Sequence, residues 1–181
     1  MRQQEEPKVL PLKPDDEVAV ITAKFGRIIV RFFPNIAPGH VKNFISLARS
    51  KFYDETTFHR IIPGFMIQGG DPNSRDDDLK NDGIGNGPRR LKAEFSKIPH
   101  EKGILSMARS QDPNSASCQF FIMVARARHL DGQYSVFGKV EKGLQAVDKI
   151  VKLPKIEGDN PGKAAIIKSI TIERAADVLD F

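Results

Sequence analysis

Tryptophan is absent from the 181 residues, cysteine occurs once and tyrosine twice. A lone Cys118 cannot close an internal disulfide, which is compatible with a reducing compartment; a cytoplasmic location is the expectation. Apolar runs are short, as at 28–30 and 120–124, far from the roughly 20 residues that a helix needs to cross a bilayer, and no membrane partner is expected. The stretch 1–16 is polar and proline-punctuated, without the apolar core of an export signal. Also missing are a Walker glycine loop, a nucleophile elbow and paired-cysteine metal spacing. His40, His59, His100 and His129 show no HExxH spacing and read as structural or surface side chains.

What is present points to one domain rich in strands. With 40% hydrophobic residues the chain can bury one sizeable core, and its 26 glycines and prolines (14 and 12) indicate many turns between short strands. The expected organisation is a polar N-terminal extension over 1–16, a domain over 17–173 and a C-terminal tail over 174–181. A formal charge of +5 raises the question of nucleic acid, but the basic residues are scattered among 23 acids. The clusters Arg89, Arg90, Lys92 and Arg126, Arg128 read as solvated surface, and no nucleic-acid partner is expected.

Two β-rich runs over 18–33 flank Gly26, with Ile28, Val30 and Phe32 alternating against Arg27, Ile29 and Arg31; this predicts a hairpin with one face buried. Pro38 then opens a helix on which Val41, Phe44, Leu47 and Ala48 recur at helical spacing. Short strands are predicted over 57–61, 65–68, 105–108, 120–124 and 135–140. A second helix follows around Leu144, Val147 and Val151, and a last strand spans 165–173. An antiparallel barrel or sandwich closed by helices fits this order. The one long aperiodic segment, 71–90, is Asp- and Gly-rich. It fails as an EF-hand: with Asp78 as first ligand, Lys80 takes the third position and Arg89 the place of the bidentate Glu. It reads as a solvated, turn-rich loop.

The segment with chemical content is Phe58-His59-Arg60-Ile61-Ile62-Pro63-Gly64-Phe65-Met66-Ile67-Gln68-Gly69-Gly70-Asp71. Two strands joined at Pro63-Gly64 can gather a cation (Arg60), an amide (Gln68) and large apolar groups (Phe65, Met66) around one cleft. Taken bare, an arginine in a sheet is more often a surface residue, and Phe65 and Met66 are more often core. The segment, however, closely resembles the signature of the cyclophilins, a family of peptidyl-prolyl cis-trans isomerases. Gly103-Ile104-Leu105-Ser106-Met107-Ala108, Pro113-Asn114, Gln119-Phe120-Phe121-Ile122, Leu130-Asp131-Gly132 and Val136-Phe137-Gly138-Lys139-Val140 resemble family segments in order, so the similarity runs over about 17–173.

The resemblance implies a mostly β fold, a closed eight-stranded antiparallel β-barrel capped by two α-helices, and an enzyme that rotates X-Pro peptide bonds without cofactor or metal. It implies that Arg60 is the catalytic arginine, that Gln68 helps to position it, and that Phe65, Met66, Phe121 and Leu130 wall a proline pocket. Ala108 and Gln119 then contact peptide backbone N-terminal to the proline. Implied partners are proline-containing peptides and unfolded or folding proteins, met by a monomer. Three positions depart from the common pattern. His129 stands where many members have tryptophan, Tyr134 where many have histidine, and Arg109 where asparagine is common. The loss of an indole wall at His129 leads to the expectation of weak binding of the inhibitor cyclosporin. Two other readings are a cyclophilin-like module that binds prolyl segments without turnover, against which the joint presence of Arg60, Gln68 and Phe121 argues, and a nucleic-acid-associated protein resting on charge alone.

Overall fold

Gly26 adopts φ +128°, a backbone angle that favours glycine, and it closes the two-residue turn between β1 (Glu17–Ala23) and β2 (Gly26–Phe32), which pair from Val18↔Arg31 to Ala23↔Gly26. The computed structural model describes residues 8–181, so the expected extension over 1–16 lies, for 1–7, outside the described residues. Next come α1 (Pro38–Arg49), β3 (Arg60–Ile62), β4 (Met66–Gly69), β5 (Ile104–Met107), β6 (Phe120–Met123), β7 (Val136–Lys142), α2 (Leu144–Ile150), β8 (Ile167–Arg174) and α3 (Ala175–Val178). All pairings are antiparallel, in the order β3-β4-β6-β5-β7-β2-β1-β8.

The expectation of a closed barrel is corrected: β3 and β8 are free edges, and the sheet is an open, curled half-barrel. The cause is local. Before β3 begins, the chain turns aside to meet the approach to β8, where Glu55 N–H donates to Ile167 (2.8 Å), Ile167 N–H to Thr56 (2.7 Å) and Phe58 N–H to Ala165 (3.0 Å). Only Thr57 and Ile166 form a bridge there, so the gap is stitched by a few bonds rather than zipped by a ladder. The same detour explains why the strand predicted over 57–61 starts only at Arg60.

Strand alternation sends Ile61, Ile67, Leu105 and Ile122 inward to a core closed by aromatic rings. Phe44, from the buried face of α1, lies 5.0–5.8 Å from Phe32, Tyr53, Phe120 and Phe137. Ala37, at the N-cap of α1, has no side-chain acceptor for the first N–H groups of the helix, and a distant residue supplies one. The Glu94 carboxylate accepts from Gly39 N–H (2.9 Å) and His40 N–H (3.0 Å) and meets His40 Nδ1 at 2.6 Å.

Two further expectations change at the other side of the sheet. The hairpin was expected to bury one face, yet Val18 and Val20 of β1 and Ile29 of β2 are buried on the outer face as well. The tail over 174–181 supplies the cover: it carries a third helix, α3, which with Leu12, Val178 and Leu179 packs over these residues. Two helices were expected and three are found among the described residues. Deleting residues 175–181 should therefore lower stability by about 2–5 kcal/mol, since each large apolar side chain returned to water costs roughly 1.5–3 kcal/mol when fully exposed. Urea unfolding of the truncated protein checks this, and the packing around β3–β6 should persist because the patch lies away from those strands.

Candidate active site

Four short strands set the site by register. Arg60 pairs with Gln68, Gln68 with Phe121, and Phe121 with Ser106, so one row crosses β3, β4, β6 and β5. The next row, Ile61, Ile67, Ile122 and Leu105, points the other way into the core. Pro63 and Gly64 (φ +74°) make the β3–β4 turn, and Phe65 N–H donates to Ile62 across it (3.0 Å). Met66, Phe121, Met123 and Leu130 thus gather on the outer face, with Phe65, Ala108 and Tyr134 packed at their margin. Between them is a depression of about 180 Å³ bordered by Arg60 and Gln68.

The polar edge of this depression is a relay of amides. Gln119 Nε2 donates to the carbonyls of Gly83 (3.0 Å) and Gly85 (2.9 Å), which fixes its Oε1 toward Gln68. Gln68 Nε2 donates to that oxygen (3.0 Å), leaving its own Oε1 to face Arg60 Nη1 at 3.5 Å. Arg60 is therefore oriented by a long contact rather than clamped, and its side chain remains exposed.

The segment read as a solvated loop proves to be anchored. Asp71 is fully buried, and its carboxylate accepts from the N–H groups of Asn73 (2.8 Å), Gly83 and Gly85 (3.2 Å). A Cβ on Gly85 would lie 1.9 Å from Asp71 Oδ1, so only glycine brings the loop this close. Asp76 and Asp78 spend their carboxylates on turns, accepting from Asp78 N–H and Lys80 N–H. Asp71 and Gly85 belong to the site's support and were missed at the sequence level; the signal was an Asp two residues before an Asn, the pattern of an Asx turn.

Behind Phe121 lies a second polar network that sequence reasoning also missed. His100 is wholly buried, stacks under Phe121 (6.1 Å, 18°), and meets Ser106 Oγ through Nε2 at 3.0 Å and Asp131 Oδ1 through Nδ1 at 3.2 Å. Burial lowers the His100 pKa against the opposing pull of Asp131. The bidentate Arg126 guanidinium, ahead of a smaller opposing effect of burial, brings the Asp131 carboxyl down to about 2.

Nine of the eleven residues singled out in the sequence line the one depression: Arg60, Phe65, Met66, Gln68, Ala108, Arg109, Phe121, Leu130 and Tyr134. Gln119 borders the adjoining hollow and joins through Gln68. His129 stays on the rim, stacked on Phe65 at 5.7 Å and 18°. The Arg109 guanidinium turns from the apolar floor, donating to the carbonyls of Gln133 (2.8 and 3.0 Å) and Ser110 (2.9 Å) and lying 4.6 Å over Tyr134. Cys118 is buried and burial pushes its thiol up to about 12, so it stays protonated at neutral pH and is a poor nucleophile.

An open antiparallel half-barrel with an apolar depression on its outer face, edged by an exposed guanidinium and an amide relay, defines a peptide-binding class of site. Comparison with known proteins places the chain within that class. The profile described as cyclophilin type peptidyl-prolyl cis-trans isomerase/CLD matches residues 18–172. A probable peptidyl-prolyl cis-trans isomerase of Brucella abortus is 43% identical over 166 residues, covering 87% of this chain and 83% of the relative. A peptidyl-prolyl cis-trans isomerase-like 3 protein of Dictyostelium discoideum is 40% identical over 149 residues, 81% of this chain and 89% of the relative. A Cryptosporidium parvum cyclophilin solved in the presence of the dipeptide Ala-Pro superposes with a TM-score of 0.78 at 33% identity, covering 86% of this chain and 98% of its own. The chain belongs to the cyclophilin-type peptidyl-prolyl cis-trans isomerases, enzymes that act on proline-containing peptides.

The Asp131 carboxylate yields a pH prediction. Its folded pKa of about 2 lies below the roughly 3.9 of an unfolded aspartate, so its contribution is complete above about pH 4 and is lost as pH falls through about 2. Asp131→Asn should flatten the acid limb of stability between about pH 4 and 2, measured by urea unfolding at each pH. An unchanged acid limb in the variant would remove Asp131 from the account.

Proposed function

We propose that Arg60 accelerates X-Pro rotation by donating to the prolyl nitrogen while Phe65, Met66, Phe121, Leu130 and Tyr134 hold the pyrrolidine ring. Rotation loses amide resonance and meets a barrier of about 18–20 kcal/mol. At the twisted geometry the nitrogen becomes pyramidal and regains a lone pair. A guanidinium aimed at it makes a hydrogen bond that the planar amide cannot accept, so the interaction lowers the barrier rather than tightening ground-state binding. No bond to the protein forms, and the reaction needs no nucleophile.

The single observation that carries this reading is the shared row of Arg60, Gln68 and Phe121, which puts one exposed cation beside an apolar depression. Gln68, held by Gln119, is the positioning residue for Arg60. Ala108 and Gln119 border the path of the peptide backbone on the side of the adjoining hollow. The dipeptide used with the Cryptosporidium parvum relative ends in proline, the group for which this depression has the size and apolar lining.

Arg60→Ala should lower kcat/KM for a short proline peptide by about 10²–10³, equivalent to roughly 2.7–4 kcal/mol, by analogy with loss of one oxyanion donor. A folded Arg60→Ala protein with near-wild-type turnover would end this mechanism. His129 generates a separate prediction. Stacked on Phe65 at the rim, it offers less apolar area than an indole and no wall to the depression, so cyclosporin should bind weakly while isomerisation proceeds. His129→Trp should tighten cyclosporin binding by titration; tight binding by the wild type would overturn the assignment.

A further inference from the structure

Beside the proline depression, sharing Gln68, Ala108 and Arg109 with it, lies a larger hollow of about 360 Å³ between the 83–87 loop and residues 115–119. Its lining contains two arginines, Arg90 and Arg109, and no carboxylate. Arg90 makes no hydrogen bond or ion pair among the described residues, and Arg109 donates only to neutral backbone carbonyls and stacks on Tyr134 and Phe95. The Ser117 hydroxyl, in the wall of the hollow, accepts from Gly87 N–H (2.8 Å). Another depression, which shares Arg60 and Gln68 with the proline depression and Gln68 and Gly83 with the hollow, is lined by Asp82, Glu157 and Asp159, the last paired with Lys155 (2.7 Å). The two neighbours of the proline depression thus differ in the charge of their linings.

We propose that the cationic hollow selects an acidic side chain two residues away from the bound proline. Side chains alternate along an extended peptide, so a proline ring pressed into the apolar depression turns the residue two positions away toward the same protein surface, about 7 Å along it. That distance reaches the adjoining hollow, whose size suits an aspartate or glutamate. Such a carboxylate meets two guanidiniums there, Arg90 and Arg109, and no carboxylate. Substrates are therefore peptides in which Asp or Glu is spaced by one residue from proline, which deepens the isomerase reading and rests on the proline ring occupying the depression.

The test uses the full chain and alanine-based peptides with one central proline, carrying Ala, Glu or Lys two residues before or two residues after it. Affinity is read by fluorescence titration and turnover by an isomerisation assay on the same set. Glu at one of the two positions should bind about three- to tenfold tighter than Ala, with Lys weaker than Ala, and the difference should vanish in about 0.5 M salt, as expected for exposed charges. Arg90→Glu should invert the order in favour of Lys. Equal binding of all three at both positions, or a Glu preference untouched by Arg90→Glu, would overturn the proposal. Selective binding without isomerisation would instead remove the mechanism assigned to Arg60 and leave the hollow standing. Isomerisation without selectivity would do the reverse.

Discussion

The site depends on one constraint, the antiparallel register of β3, β4, β6 and β5. Side chains in a strand alternate with a period of two, so a slip of one residue exchanges the two faces of the sheet. Here a slip in β4 would send Gln68 into the core and Ile67 to the groove, and in β6 it would trade Phe121 for Phe120 or Ile122. Burial resists this strongly, because Ile61, Ile67 and Ile122 are each wholly buried and a buried amide there would be left without partners. The core row therefore specifies the row that carries Arg60, Gln68 and Phe121. Hydrophobic packing on one side of the sheet decides where Arg60 and Phe121 stand on the other.

Register alone places Arg60 but does not aim it. That falls to the amide relay, which reaches backward through Gln119 to the carbonyls of Gly83 and Gly85 and so to the buried Asp71 carboxylate holding that loop. A carboxylate charge in the interior is costly unless its oxygens are satisfied, and three backbone N–H donors satisfy this one. The loop is ordered by a buried group near its start rather than by a core of its own. The arrangement leaves Arg60 with a single long contact, consistent with a donor that must spend its remaining N–H groups on substrate.

Much of this was legible in the sequence. Alternation in 18–33, helical spacing after Pro38 and the short apolar runs located all eight strands and the first two helices, and resemblance brought nine of the candidate residues to one depression. The misses have physical causes. The half-barrel stays open because 55–58 pairs with 165–167 through isolated backbone bonds, and backbone pairing carries no side-chain signature. The third helix is one turn long with little periodicity to read, and its role appears only once Val18, Val20 and Ile29 need a cover. Asp71, His100 and Asp131 were missed because each also depends on a partner far along the chain: Asp71 on Gly83 and Gly85, 12 and 14 residues on, and His100 and Asp131 on each other, 31 residues apart. Acids in a loop read as solvated until the chain folds back over them.

Placing the depression on the outer face follows from how the inner face is filled. Phe44, Phe120 and Phe137 and their neighbours close the curl of the sheet with rings 5.0–6.1 Å apart, which leaves the interior to packing. A surface groove also suits a substrate that is a length of chain, because peptide on either side of the proline must pass through. Such a groove cannot exclude water fully, so its electrostatics are modest. Catalysis of bond rotation tolerates this well. The mechanism proposed for Arg60 requires one donor correctly placed against a ring held still, and the strands offer that placement by rigidity rather than by enclosure.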